Sequence, residues 1–414
     1  MTKGEKRMAS QRYVRRTFLQ RAMIGVGGTI LLAACTQAPA APTAAPAAPT
    51  SPPAPTPVPP TAAPPTAAAP TAAPTAAPTS APTTAPATSA ATPTPAAAGN
   101  ATADKTGWPQ TFILGLFAGD DPNKVLNSYS PLVDYLSQQT GVGFKSITGT
   151  SYSAVIEAMR AGHADGMEVG PFAYILAVQE ANAEALTAVV SAPDSKNPVY
   201  VASAAPYYFS MIFTKKGSGI NSLADLKGKQ FSFVDPASTS GHLMPTALLM
   251  KNGINPDTDM KTIYAGSHPS SVLAVWNGKV DAGATFDQNL TTLADQGQIK
   301  LCWFPDKIAS KNRTADEIAQ VASSCDAGSI VVLAISDPIP NTPFAIRQNL
   351  PASFKDTLKT ALLNVKNQPD VIKGIGEWYV DPTADLKLDK LDSFYDPLRT
   401  VAKVLNLDLK KLAS

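Results

Sequence analysis

The sequence predicts an α/β protein of two lobes carried on a disordered N-terminal tether, and three observations lead there. Half of the proline is concentrated in one place: 19 of the 38 prolines lie within residues 36–100, a stretch with no charged residue. From Trp108 onward, short apolar runs alternate with stretches of helical period, the pattern of a mostly parallel sheet covered by helices. Those runs are too many for one compact sheet, and the about 300 residues that carry them suffice for two cores.

The charge divides in the same way. Lys+Arg number 34 against Asp+Glu 32 in 414 residues, but residues 1–34 hold seven bases (Lys3, Lys6, Arg7, Arg12, Arg15, Arg16, Arg21) and one acid, Glu5. The remainder carries −4, which argues against a nucleic-acid binder, since that function needs a basic surface. The N-terminus reads as an address. A basic segment precedes Val14-Arg15-Arg16-Thr17-Phe18-Leu19-Gln20, and the apolar run Ala22–Ala34 is too short to span a bilayer comfortably. Arg15-Arg16 with Phe18-Leu19 resembles the twin-arginine export motif, and Leu32-Ala33-Ala34-Cys35 resembles a bacterial lipobox. The resemblance implies cleavage before Cys35 and a diacylglycerol on its sulfur, hence an extracytoplasmic protein lipid-anchored to the cell membrane. The Ala/Pro/Thr stretch that follows lacks bulky apolar residues and is broken by proline, so it reads as an extended linker. At about 3.1 Å per residue its fully extended reach is ~200 Å. The expected organisation is a signal peptide over 1–34, lipidated cysteine and linker over 35–106, a first lobe from 107–205 plus 336–414, and a second lobe from 206–335.

Within the folded part the reading runs in order. Strands are expected at Thr111–Ala118, Phe144–Ile147, Ala164–Val169, Ala185–Ser191 and Val199–Ala204, with helices at Asn123–Thr140, Tyr152–Ala161 and Pro171–Asn182 between the first four. Apolar spacing at Val125, Leu126, Tyr129, Leu132, Val133 and Leu136 supports the first helix, and Pro171 suits the first turn of the third. Then come strands at Phe209–Thr214, Gln230–Val234, Lys261–Tyr264, Val280–Ala284, Ile299–Phe304 and Ile330–Ile335, with helices at Ser222–Leu226, Gly241–Asn252, Pro269–Gly278 and Leu290–Gln296. A helical tail is expected over Pro351–Gln368, Pro369–Ile375 and Leu386–Leu405. Cys302 and Cys325 bracket the polar stretch 307–324; in an oxidising location they are expected to form a disulfide, with two free thiols as the alternative. Two cysteines without a nearby histidine do not make a metal site, and no cofactor is expected.

Several segments resemble one family in chain order. Phe233–Pro245 (FVDPASTSGHLMP) closely resembles the phosphate/phosphite/phosphonate-binding proteins of bacterial ABC importers. Tyr152–Met159, Asp165–Ala177, Ser218–Ile220 with Leu223–Gly228, Gly266–His268 with Ser271–Val275, Gly278–Gly283, Ile339–Asn341 and Leu350-Pro351 are similar to it as well. The likeness covers roughly residues 110–365 and implies a type II periplasmic-binding-protein fold, with two crossovers near Ala204–Tyr208 and Ile330–Asp337 and a ligand in the cleft between lobes. It implies that His268 meets phosphoryl oxygens, that Tyr152 and Tyr208 line the cleft, and that Asp287 meets a cationic ligand end or takes a proton from the anion. Asn341 stands where relatives carry an acid nearby, a departure that bears on the exact ligand.

The residues support an anion site independently. A strand ending at Asp235-Pro236 runs through Ser238-Thr239-Ser240-Gly241 into a helix, so unpaired backbone N–H groups and three hydroxyls gather at one helix start. One hydroxyl would be a plain N-cap; three in a row exceed that need. Gly241 lets the backbone come close, and no Walker lysine follows, so this is not a nucleotide loop. Gly266–Ser271 repeats the pattern around His268, which can donate while neutral or charge to favour an anion. His242 is expected beside the site or at the surface, and His163 in solvent. No nucleophile elbow, carboxylate pair or metal motif is legible, so the chain is read as a binder and not an enzyme. The expected partners are a small phosphorus oxyanion (phosphonate, phosphite or phosphate) and an ABC permease, with the chain itself a monomer. The alternatives are a binder of a sulfonate or a thiamine-precursor-like compound, or a tethered ligand sensor.

Overall fold

A computed structural model describes residues 104–191, 206–302, 314–407 and 412. The export signal, Cys35, the tether and the strand expected over Val199–Ala204 lie outside the described residues. The first segment forms β1 (Thr111–Phe117), α1 (Pro122–Thr140), β2 (Gly143–Gly149), α2 (Tyr152–Arg160), β3 (Gly166–Glu168), α3 (Pro171–Ala181) and β4 (Ala183–Ser191). The middle segment forms β5 (Tyr207–Tyr208), β6 (Ser210–Lys215), β7 (Gln230–Phe233), α4 (Met244–Lys251), α5 (Pro256–Asp259), β8 (Lys261–Tyr264), α6 (His268–Trp276), β9 (Ala282–Phe286), α7 (Asp287–Asp295), α8 (Ala315–Ser324) and β10 (Ile330–Ile335). The last forms β11 (Ile339–Pro340), β12 (Pro343–Arg347), α9 (Ala352–Leu363), α10 (Pro369–Ile375), β13 (Glu377–Val380), α11 (Thr383–Leu386) and α12 (Asp396–Val404).

These strands make a six-stranded sheet in the order β13-β4-β12-β3-β1-β2, a five-stranded sheet in the order β10-β6-β9-β7-β8, and a two-stranded link of β11 with β5. Each large sheet has apolar clusters on both faces: Phe112, Phe344 and Tyr379 on one side of the first and Met167, Tyr174 and Ile175 on the other. Strands buried on both faces read as near-continuous apolar runs, which is why they were legible.

The sheet directions place the cleft. In the first sheet β1, β2 and β3 run parallel, while β12 runs antiparallel to both β3 and β4. In the second, β7, β8 and β9 run parallel, while β6 runs antiparallel to β9 and β10. β6 and β12 are the strands that follow the β5–β11 link. They start where their parallel neighbours end: Ser210 pairs with Phe286, and Phe344 with Glu168. The carboxyl ends of β3, β7 and β9 therefore face the link, the position where open α/β sheets bind ligands.

The structure departs from expectation at several elements. The helix expected over Gly241–Asn252 opens as a π-helical turn, Thr239–Leu243, before α4. Pro245 has no N–H for the Gly241 carbonyl; that carbonyl accepts from Val234 N–H at 3.1 Å, and Leu243 N–H reaches back to Ser238 at 3.0 Å. β9 lies two residues later than expected, so α7 starts at Asp287 with no intervening loop. β12, β13 and α8 were not foreseen; α8 begins with a capping box between Thr314 and Glu317. The helix expected over Leu386–Leu405 is interrupted by Lys387 (φ 55°) and a 3-10 turn, Leu391–Tyr395. The strand expected over Ile299–Phe304 is reduced, within its described part, to one bridge between Leu301 and Ile330. Cys302 and Cys325 are joined by a disulfide with Cα atoms 5.8 Å apart.

Candidate functional site

The cleft encloses a cavity of about 710 Å³ whose walls include Tyr152, Tyr208, Ser238, Thr239, Ser240, His268 and Asp287. All seven residues expected to meet a ligand from the sequence therefore border one space. They come from both sheets and from the link: Tyr152 opens α2, Tyr208 is in β5, the hydroxyl run follows β7, His268 opens α6 and Asp287 opens α7.

The turn after β7 is built by its own acid. The Asp235 carboxylate accepts from Ala237 N–H at 2.8 Å, and its backbone carbonyl accepts from Ser238 N–H at 3.0 Å. Burial raises the Asp235 carboxyl above the ordinary range. Ser238 caps the π turn, accepting from Gly241 N–H at 3.0 Å. Thr239 accepts from Phe172 N–H at 2.8 Å, a bond between the second sheet's layer and the first's. The Thr239 and Ser240 hydroxyls also lie near the Tyr208 phenol, and Ser238 near that of Tyr152. Five hydroxyl-bearing residues thus line the one cavity. Burial raises both phenols above the usual tyrosine range, so both stay protonated donors.

Gly241 has a different use from the one expected. A Cβ there would sit 2.4 Å from Val234 Cβ, so glycine is required for the turn to pack on its own strand, not for approach to a ligand. His242 does not line the cavity. Its Nδ1 lies 2.8 Å from the Pro236 carbonyl and its Nε2 3.1 Å from the Tyr264 hydroxyl, so the ring braces the turn from behind. His163 is exposed.

His268 is capped by Ser267, which accepts from Ser270 N–H at 3.1 Å. Its Nδ1 lies 3.1 Å from Thr285 Oγ1, and its ring packs edge-on against Phe286 at 4.7 Å. Burial lowers its pKa to about 3, so of the two states open to it from sequence the fold selects the neutral one. Asp287 is buried and pinned to the link strand: its N–H donates to the Phe209 carbonyl at 3.1 Å and its Oδ1 accepts from Phe209 N–H at 3.4 Å. Burial pushes its pKa up to about 6. Asn341 also lines the cavity, its Oδ1 accepting from Thr342 N–H at 2.8 Å.

Sequence reasoning missed Glu168, Glu377 and Tyr129, which line the same cavity. An acid inside the apolar run Gly166–Val169 was the one available signal, since a glutamate is seldom buried without a partner. Among the described residues the cavity wall holds three carboxylates and no lysine or arginine. At the rim, Asp120 after β1 accepts from Ser270 Oγ at 2.8 Å and from Ser267 Oγ, closing the cleft mouth against the start of α6.

Comparison with known proteins identifies the family and the fold. The "Phosphate-import protein PhnD" of Mycolicibacterium smegmatis is 36% identical over 226 residues, 51% of this chain and 68% of that protein. A binding-protein component of an ABC phosphonate transporter from Pseudomonas aeruginosa superposes with a TM-score of 0.52 at 23% identity, over 74% of this chain and 97% of that one. PhnD1 from Prochlorococcus marinus, in complex with methylphosphonate, gives 0.53 at 18% identity, over 72% and 99%. At these identities the structural likeness concerns the fold, a two-lobed α/β periplasmic binding protein. The model of the family described as "ABC transporter, phosphonate, periplasmic substrate-binding protein" matches residues 114–387, and the chain belongs to that family of ABC importer components.

Proposed function

We propose that this importer component captures a phosphorus oxyanion, a phosphonate, phosphite or phosphate, between the Ser238–Ser240 hydroxyls and His268, and holds it by closure of the two lobes about the β5–β11 link. The observation that carries the reading is the convergence of five hydroxyl donors and a neutral imidazole on one buried cavity at the starts of two helical segments. Such donors bind an anion without a formal cation: hydroxyls and a neutral ring N–H turn to an incoming oxygen, and low local dielectric strengthens each charge-assisted bond. Thr285 Oγ1 already accepts from Asn289 Nδ2 at 3.0 Å, so its proton is free for His268 Nδ1, leaving Nε2–H as donor to the anion. Asp287, an acceptor when ionised, suits a phosphorus acid that keeps one proton, and disfavours sulfate, which keeps none at neutral pH. Contacts from Phe172 to Thr239 and from Asp120 to Ser267 and Ser270 are the kind that hold a closed form together. The chain acts by binding and handing over, not by converting its ligand; in the closed form, as a monomer, it would be recognised by the permease. Its tether is a lipid on Cys35 after export through the twin-arginine route.

Calorimetric titration of the full chain with phosphate, phosphite, methylphosphonate, 2-aminoethylphosphonate and sulfate tests the reading. Binding of at least one phosphorus oxyanion, with sulfate excluded, is expected. Binding of none of them, or a preference for sulfate, overturns it. For the anchor, mass spectrometry of the membrane-extracted protein should find two or more acyl chains on Cys35.

A further inference from the structure

The peptide unit between Pro236 and Ala237 stands directly before the hydroxyl run, and both of its polar atoms are held. Its N–H donates to Asp235 Oδ1 at 2.8 Å, and its carbonyl lies 2.8 Å from His242 Nδ1. A carbonyl only accepts, so Nδ1 carries the ring proton, and Nε2 of the neutral ring is left as an acceptor. The Tyr264 hydroxyl, 3.1 Å away, is the donor that Nε2 needs. Burial lowers the His242 pKa below its ordinary value, which keeps the ring neutral at neutral pH.

The ring is fixed in place by its neighbours. It sits edge-on to Phe233 at 5.1 Å and to Tyr264 at 5.4 Å, the last residues of β7 and β8, which pair with each other in the sheet. The π turn brings the side chain back to Pro236, with Leu243 N–H on the Ser238 carbonyl at 3.0 Å and Val234 N–H on the Gly241 carbonyl at 3.1 Å. The chain therefore leaves β7, passes Ser238, Thr239 and Ser240 along the cavity, and closes on its own start through one imidazole. The other bonds of the turn, Ala237 N–H on Asp235 Oδ1 and Ser238 N–H on the Asp235 carbonyl, both belong to Asp235. The His242 bond is the one that ties the entry of the hydroxyl run to its exit. His242 itself lies outside the cavity lining, so holding the turn takes no donor away from a ligand.

We propose that His242 is a positioning residue of the oxyanion cradle: its Nδ1–H, on the Pro236 carbonyl, holds the turn in the shape that aims Ser238, Thr239 and Ser240 into the cavity before a ligand arrives. This rests on the oxyanion reading of those hydroxyls. A turn that lacks the bond spends only part of its time in the binding shape, and apparent affinity falls by that fraction. One hydrogen bond of ordinary strength corresponds to about five- to tenfold.

The test uses two replacements of the same shape, His242→Leu and His242→Asn, in the full chain. Both lose the ring, its packing on Phe233 and its bond to Tyr264; only asparagine offers an N–H near the place of Nδ1. Phosphate, phosphite and methylphosphonate are titrated by calorimetry, with melts followed by circular dichroism. For the best-bound anion, His242→Leu should bind about five- to tenfold more weakly than the unmodified chain and His242→Asn within about threefold of it, although both melt at lower temperature. A merely structural histidine would lower the melting temperature without this rescue. Equal affinities of the two variants overturn the inference alone, and failure of the unmodified chain to bind any of the three anions overturns the oxyanion reading with it. A second measurement needs no folded leucine variant: nitrogen-15 spectra of the full chain labelled at histidine should show a neutral ring protonated at Nδ1, assigned to His242 by its loss in His242→Asn. A His242 ring protonated at Nε2 instead cannot bond the Pro236 carbonyl and overturns the inference.

Discussion

Replacing Thr239 by alanine removes two interactions at once, and the structure says where each loss appears. The hydroxyl accepts the Phe172 N–H at 2.8 Å across the cleft, and its proton is available to the Tyr208 phenol or to a bound anion. A buried N–H left without a partner costs about 1–3 kcal/mol, and a hydrogen bond to a charged group contributes about 1.5–3 kcal/mol. Together these amount to about 2.5–6 kcal/mol in the closed, liganded form, or roughly two to four decades in affinity at 1.4 kcal/mol per decade. In an open form the Phe172 N–H meets water, so the ligand-free melting transition should move far less than the affinity. Thr239→Ser keeps the hydroxyl and should stay within about tenfold of the parent. The assay is calorimetry with the best-bound oxyanion, paired with thermal melts of the free protein. If Thr239→Ala binds within about threefold of the parent, the hydroxyl run is not the anion cradle and the site assignment is wrong.

Three further outcomes follow from other parts of the cleft and from the disulfide. Asp120→Ala takes away the acceptor for Ser267 and Ser270 at the rim; the closed form should weaken, with ligand affinity down about tenfold and a larger radius of gyration by small-angle scattering of the liganded protein. Asp287 has its pKa raised from 3.8 to about 6, so the folded state holds this proton more tightly than the unfolded chain. Its contribution is present below pH 4 and lost as pH rises through about 6, a loss of about 3 kcal/mol that should be absent from the pH-dependent melts of Asp287→Asn. Reduction of the bond between Cys302 and Cys325, 23 residues apart, should lower stability by about 3 kcal/mol through the entropy of the unfolded chain; melts that do not change on reduction, or native thiols that alkylate at once, would refute the link.

Much of this site could be read from the chain because its parts are local. Ser238, Thr239 and Ser240 are consecutive at a strand-to-helix junction, and Ser267-His268 repeats the pattern, so neighbouring residues alone mark two places where backbone and side-chain donors gather. The Glu168–Glu377 part of the cavity wall was not legible for the opposite reason. Tyr129 and Glu377 are 248 residues apart, and Tyr379 and Glu168 211; only the order β13-β4-β12-β3 and the packing of α1 bring them together. β12 escaped notice as five residues between Pro340 and a turn, yet it lies between β3 and β4 and is buried by both. The π turn at Thr239–Leu243 also follows from a local cause, Pro245, but its width depends on the Gly241 carbonyl finding Val234 in the adjoining strand.

By itself the sequence determined the alternation of strands and helices, the two-lobed class and the position of the hydroxyl run, because backbone hydrogen bonding, side-chain periodicity and helix-end donors act over a few residues. The tertiary structure decided the charge of the site. Whether His268 is neutral, how far the Asp287 carboxyl is raised and how far that of Glu377 is raised depends on burial against Phe286, Phe209 and Tyr129. Desolvation is set by what is stacked against a group, and distant stretches of chain supply that only after both sheets have formed.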